Sequence, residues 1–227
     1  EGQWKQGIQG YLASIHFADA MVGRVMEALE KSPQRDNTIV VLWSDHGWHL
    51  GEKEHWQKFT GWRVCARVPL MIRVPKGAPG LPEGTTPGNV CDRPVSLVDL
   101  YPTLIELCQL SPRPGLEGLS LAPQLRDAAA PRERPAITTH NQGNHAVRSE
   151  NWRYIRYADG SEELYDTRSD PNEWHNLAAD PKHQAIIKEH RRWLPQINLP
   201  PIKTNAPRVL VKKDQQWLWE GKPIEKK

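Results

Sequence analysis

Thr38-Ile-Val-Val-Leu-Trp-Ser-Asp-His-Gly-Trp-His-Leu-Gly-Glu-Lys-Glu-His-Trp-Gln-Lys58 opens as a buried strand and ends as a loop crowded with ion-binding groups. Ile39 to Trp43 run apolar without alternation, the pattern of a parallel strand covered on both faces. Ser44-Asp45-His46-Gly47 then stops the strand, and Gly47 and Gly51 free the backbone for tight bends. In open α/β sheets ligand chemistry collects where strands end and loops begin. Asp45 and His46 sit there.

Upstream, Ile8, Tyr11, Leu12, Ile15, Ala18, Val22, Val25, Met26 and Leu29 recur at three- and four-residue steps. That spacing predicts an amphipathic helix of about twenty residues ending near Ser32-Pro33. Downstream, Leu70-Met-Ile-Arg-Val74 reads as a second strand closed by Pro75. Residues 76–94 are rich in Pro and Gly and hold no regular element. Ser96 with Asp99 forms an N-terminal helix signal, and the helix is expected to run to about Leu110, with Pro102 in its first turn. Residues 111–135 form another Pro-rich connection.

From Ala136 the pattern changes. Ala136–Thr139, His145–Arg148, Trp152–Tyr157 and Glu163–Tyr165 read as short strands, and Asp159-Gly160 as a hairpin turn. Asp180-Pro181 starts a last helix, to about Leu194, whose Ile186, Ile187, His190 and Trp193 are expected to pack on the sheet, with Trp193 buried. The predicted fold class is α/β: residues 1–135 as part of a larger α/β domain carrying the ligand loop, 136–198 as a small antiparallel sheet with a helix, and 199–227 as a tail. The tail's Pro200-Pro201, Lys212-Lys213 and Trp217-x-Trp219 give no firm structural reading.

Composition excludes several function classes. No apolar run approaches the ~18 residues of a membrane span, and the mean hydropathy is −0.68. The net charge of +3 is spread along the chain, so nucleic acid is not indicated. Three Cys at irregular spacing give neither a zinc ribbon nor a disulfide scaffold; one pair plus a free thiol, or three reduced thiols, remain open. Ten Trp is many, and Trp48, Trp56 and Trp62 either wall a cleft or pack.

Asp45 and His46, adjacent where the chain leaves the pleat, can turn toward one cation. Imidazole suits zinc or manganese and carboxylate suits calcium or magnesium, so the residues alone leave the metal open. His46-x-x-His49 with His55 could make a zinc cluster, but no Cys lies nearby and the spacing is irregular. His49 either lines the substrate cleft or hydrogen-bonds structurally. Arg63 and Arg67 either meet an anionic ligand or pair with Glu52 and Glu54.

Ser44-Asp-His-Gly-x-x-Leu-Gly-Glu52, Trp56-x-Lys58 and Arg67-Val-Pro-Leu70 resemble the sulfatase family of the alkaline phosphatase superfamily, in its iduronate-2-sulfatase-like branch. Gly10-Tyr11-x-Ala13-Ser14, Asp19 and Val22-Gly-Arg-Val25 fit the same branch. Glu163-Leu-Tyr-Asp166, Asp170-Pro171-x-Glu173 and Asn176-Leu177 resemble the family's small C-terminal domain. The likeness covers roughly residues 8–195 and only the latter part of such an enzyme. It implies a sulfuric ester hydrolase acting on an anionic or carbohydrate sulfate ester. Asp45 and His46 would be metal ligands, Lys58 would be catalytic and sulfate-binding, and His49 substrate-binding. Calcium is the implied cation, magnesium or another divalent ion the alternative, and an exported location is implied as well. The family's nucleophile is a formylglycine made within Cys/Ser-x-Pro-x-Arg, and neither Cys65, Cys91 nor Cys108 leads that motif. A nucleophile-bearing N-terminal half is therefore the expected partner. The rival readings are a phosphodiesterase or phosphonate monoester hydrolase of the same superfamily, and a non-catalytic partner module with an exposed apolar sheet edge.

Overall fold

A computed structural model of the chain describes residues 2–202, 210–214, 216–219 and 221–224. They fall into two compact units, Glu1–Gln196 and Ile197–Lys227.

The first unit opens with helix α1, Gly2–Glu30, longer at its N-terminal end than its apolar spacing alone predicts. None of its residues is buried. Leu12, Ile15, Phe17 and Val25 are each more than half exposed. It touches the rest of the unit through two aromatic pairs, Trp4 edge-on to Trp56 at 6.0 Å and Tyr11 stacked on Trp48 at 6.4 Å, and through an ion pair of Glu30 with Arg73. Trp48 and Trp56 thus take the packing alternative.

Strand β1, Val40–Trp43, follows, then β2, His49–Leu50, and β3, Trp56–Gln57. A one-turn helix α2, Arg63–Ala66, leads into β4, Leu70–Arg73. β1 pairs antiparallel with β4, Val40 opposite Arg73 and Trp43 opposite Leu70. The parallel arrangement read from the apolar run is corrected here: the 44–69 segment folds back on itself, by β2 pairing β3 and by α2, and returns the chain antiparallel. Among the described residues β1 has no second partner strand.

Helix α3, Leu100–Leu107, is entered through a capping box in which Ser96 and Asp99 serve each other's backbones. Asp99 also accepts from Leu119 N at 2.8 Å and pairs with Arg132 at 2.6 Å, both groups nearly buried. This anchors the Pro-rich 111–135 segment, which carries a short helix α4, Ala122–Arg126.

The core sits in a four-stranded antiparallel meander: β5 Ala136–Thr139, β6 His145–Arg148, β7 Trp152–Arg156 and β8 Glu162–Asp166. Strand alternation sends neighbouring residues to opposite faces. Val147, Tyr154 and Leu164 pack on one face with Ile187 of helix α5, Gln184–Arg191. Ala146, Ile155 and Tyr165 pack on the other, against Trp62. Both faces are covered, where one apolar face would be enough for a sheet of four strands. The turn into β8 has Gly160 at φ +91°, as the Asp-Gly signal predicts. Asp180 caps the start of the last helical segment by accepting from Lys182 N at 2.9 Å.

Trp193 packs on the edge of this core and is only half-buried, while Ile187 is 1% exposed. The expected burial of Trp193 is corrected: it lies past the end of α5, so the residue that enters the sheet is Ile187.

The second unit is a three-stranded antiparallel sheet, β9 Leu210–Lys213, β10 Gln216–Trp219 and β11 Lys222–Pro223, with β10 central. Trp217 and Trp219 are about half exposed, and the Lys212 ammonium lies 5.7 Å from the Trp217 ring.

Ile187→Ala should lower stability by about 2–5 kcal/mol in chemical denaturation. Trp193→Ala should cost clearly less. A second expectation concerns pH. Glu162 is held down at about 2 by the hydrogen bonds of Arg191 first, then of Tyr154 and Arg156, against the cost of burial. The folded value lies below the ordinary 4.5, so the stabilisation is complete above that value and fades as pH falls toward about 2. Amide exchange of α5 should rise across that window in the wild type and be flat in Glu162→Gln.

Candidate functional site

The end of β1 is built so that Asp45 and His46 meet. Gly47 donates its N–H to Cys65 O at 2.7 Å, and a Cβ on Gly47 would lie 2.0 Å from Val64 O. Only glycine lets the strand end press this closely on α2. Ser44 Oγ donates to His46 O at 2.9 Å, and Asp45 Oδ1 accepts from His46 N at 3.1 Å. The turn thereby brings Asp45 Oδ2 to 3.5 Å from His46 Nε2.

Lys58 joins them from the end of the loop. Its Nζ lies 3.0 Å from His46 Nε2, and His46 Nδ1 lies 2.9 Å from Gly47 O. An ammonium can only donate and a carbonyl can only accept. The contacts therefore select the tautomer with the proton on Nδ1 and the lone pair on Nε2. Asp45, His46 and Lys58, three of the residues singled out in the sequence, stand together at the rim of an open groove. Phe59, Thr139 and His140 line it too.

His49 does not reach this groove. It is fully buried, its Nε2 is 2.7 Å from Thr60 Oγ1, and its ring is edge-on to His55 and Trp62. Its pKa is lowered first by burial and then by His55. The substrate-binding expectation for His49 is corrected to the structural alternative: β2 turns this side chain inward. His55 faces Lys58 O at 3.1 Å through its Nε2. Among the described residues no group of three His, Cys, Asp or Glu could hold a metal. Glu52 does not serve Arg63 or Arg67 in the way considered above; its carboxylate accepts from Leu50 N at 2.6 Å. Both arginines line the groove.

The sequence did not single out His140, Lys53 or Arg153. His140 stands at the end of β5, with its Nδ1 buried and unpartnered and its pKa lowered by burial, His145 and His55. Lys53 reaches across to Tyr165 OH at 2.9 Å and Glu173 O at 2.7 Å. Its pKa is lowered by burial, against the pull of Glu163, Glu173 and Asp170. Arg153 and Glu173 form an ion pair with side chains 5% and 1% exposed. The one available signal was that Glu173 closes Asp170-Pro171-x-Glu173.

Residues 1–110 match the sulfatase family model. A sulfatase from Formosa agariphila is 42% identical over 197 residues, 87% of this chain and 37% of that protein. A protein solved with its substrate D-glucosamine-2-N,6-O-disulfate superposes with a TM-score of 0.68 at 27% identity, over 81% of this chain and 38% of that one. The phosphonate monoester hydrolase of Agrobacterium radiobacter superposes with a TM-score of 0.64 at 28% identity, over 78% and 38%. The chain belongs to the sulfatase family, and its fold is of the α/β sulfatase type. It spans under two fifths of each of these proteins.

Thr60→Val would leave His49 Nε2 buried without its hydrogen bond and should cost about 1–3 kcal/mol. Thr60→Ser should retain most of that stability in the same thermal melts.

Proposed function

We propose that the chain supplies the cation- and sulfate-holding part of a sulfuric ester hydrolase acting on an anionic or carbohydrate sulfate ester. The observation that carries this is the convergence of Asp45 and Lys58 on His46 at the end of β1, with Asp45 Oδ2 3.5 Å and Lys58 Nζ 3.0 Å from His46 Nε2. A sulfate ester is a poor electrophile because its anionic oxygens repel a nucleophile, so catalysis needs fixed positive charge on those oxygens. Lys58 offers an ammonium at the groove rim. His46, held by Gly47 O, keeps its Nε2 lone pair turned toward Lys58 and Asp45.

Asp45 and His46 fit two positions of a divalent-cation site. Their facing atoms lie 3.5 Å apart, inside the span of two metal–ligand bonds of ~2.3–2.6 Å; a cation bound there would take the Nε2 lone pair from the Lys58 ammonium and free that donor for the sulfate. A carboxylate with an imidazole admits calcium, which the family resemblance favours, or magnesium. When bound, such a cation supplies Lewis-acid charge to the sulfate oxygens. Two residues fall short of the ~6–8 oxygens calcium prefers, so the remaining ligands would come from a second segment. The formylglycine nucleophile would come from it too. We assign that segment to an N-terminal half that covers the exposed apolar residues of α1 and the open edge of β1. The substrate class follows the relative solved with a disulfated glucosamine.

A second reading, phosphonate or phosphodiester hydrolysis, is favoured by the likeness to the Agrobacterium enzyme. Assays of sulfate against phosphate and phosphonate esters on the joined halves separate the two.

The 227-residue chain alone should show no measurable turnover of an aryl sulfate and only weak calcium binding by calorimetry. In the joined enzyme Lys58→Ala should lower kcat/KM at least about a hundredfold, or about 2.7 kcal/mol. Turnover by the isolated chain that is lost in Lys58→Ala would contradict this reading and demand another nucleophile.

A further inference from the structure

Lys58 sits in a loop that would not keep its shape unaided. Its two neighbours, Gln57 and Phe59, have φ of +72° and +73°, and Lys53 and Glu54 have +54° and +57°. Each is a left-handed conformation that a side-chain-bearing residue avoids and that persists only where the surroundings over-determine it. Gln57 and Phe59 bracket Lys58, so relaxation at either would swing the ammonium away from His46.

The surroundings are the four-stranded sheet and the turn that follows it. On one side of Lys58, the Lys53 ammonium donates to Tyr165 OH and to Glu173 O, and lies 4.2 Å and 4.6 Å from the Trp62 and Tyr165 ring centroids. On the other side, Gly61 O accepts from Arg153 Nη1 at 3.1 Å, Trp62 Nε1 donates to Glu163 at 2.6 Å, and Arg63 N donates to Glu173 Oε2 at 2.7 Å. Glu173 Oε1 takes Arg153 Nε. A Cβ on Gly61 would come within 3.0 Å of Ala146 Cβ, so this stretch lies directly on the sheet. Both ends of the loop therefore meet on Glu173, through its carbonyl at Lys53 and its carboxylate at Arg63. Lys58 is five residues from each.

Stability alone does not account for such a pair. A buried ion pair is often matched or bettered by apolar residues of the same volume, because desolvation cancels the attraction. What Arg153 and Glu173 add is direction: fixed donors and acceptors that accept one backbone geometry of the loop.

We infer that Glu173, Arg153 and Lys53 are positioning residues for Lys58, so that the C-terminal sheet is a working part of the sulfate site. The inference rests on the role proposed above for Lys58. It predicts that loosening the clamp disorders the loop while the sheet stays folded, and that the loss of function is the loss of Lys58.

Two variants test it: Glu173→Gln, which keeps the shape but removes the charge, and Lys53→Met, which leaves the Arg153–Glu173 pair in place. In the 227-residue chain, amides 54–61 should exchange at least tenfold faster in both, and in Lys53→Met β5–β8 amides should stay within about twofold of wild type. Unchanged loop amides in either variant, or loop and sheet losing protection together in Lys53→Met, would overturn the inference. In the joined enzyme each variant should lower kcat/KM for an aryl sulfate at least tenfold and weaken competitive inhibition by inorganic sulfate. Combined with Lys58→Ala, neither should add a further loss, since Lys58 would already be gone. Additive losses would make the clamp merely structural and sink the proposal. If Lys58→Ala itself left turnover intact, the proposed site would fail instead, and the exchange data would stand apart from it.

Discussion

A carboxylate sealed in the interior must find partners for its lone pairs or give up its charge. Glu173 is 1% exposed, and its partners are a guanidinium from β7 and a backbone N–H at the start of α2. Those donors, Arg153 and Arg63, are 90 residues apart in the chain. Satisfying one buried group therefore fixes the seam between the sheet and the strand-end loop. Trp62 fills the same seam, packing beneath Ala146, Ile155 and Tyr165 while its indole N–H is taken up by Glu163. The apolar contact supplies area and the polar contacts supply register. With either alone, the loop could slide along the sheet.

The first unit is uneven in the way it is held together. The sheet of β5–β8 has a covered core on both faces, in Val147, Tyr154 and Leu164 on one and Ala146, Ile155 and Tyr165 on the other. The α1 and β1–β4 part has little of its own: no buried residue on the helix, and a two-stranded ribbon with Trp43 and Met71 about half exposed. Two strands are marginal in water without a covering layer. The candidate site falls between these regions. Asp45 and His46 come from the end of the thinly covered ribbon, and Lys58 comes from the loop bolted to the firm sheet. Its two components thus have different supports, and their relative placement depends on the seam.

Much of this was legible in the sequence because it is local. A strand's apolar run, Ser96 with Asp99, Asp159-Gly160 and Asp180-Pro181 each encode a feature within a few residues, and each formed. The meeting of Asp45 with His46 was legible for the same reason, since one turn sets it. Strand direction was not. An apolar run says that a strand is to be covered and is silent on which partner, so the antiparallel pairing of β1 with β4 depends on how residues 44–69 return. Trp193 was misplaced because a period-3.6 pattern does not say which residue at an element's end turns inward, and the two readings of His49 could not be separated without knowing which way β2 faces. Arg153 and Lys53 were invisible for a further reason. A charged residue on a strand or loop reads as a solvated one, and its partner here lies 20 or 120 positions away.

Lys53 and Lys58 show what a side chain's surroundings add to its identity. Both are ammonium groups in one loop, each within reach of aromatic rings. Lys53 spends its donors on a phenol and a carbonyl, under two aromatic faces, in a place where burial lowers its pKa. A cation committed in that way can fasten but cannot be offered to a substrate. Lys58 gives one donor to His46 at the groove rim, and an ammonium has three. The remaining capacity suits a tetrahedral anion, whose oxygens need more than one donor. The same residue type thus serves as a bolt at one position and as an open charge five residues on. The division follows from which of the two lies beneath Trp62 and Tyr165.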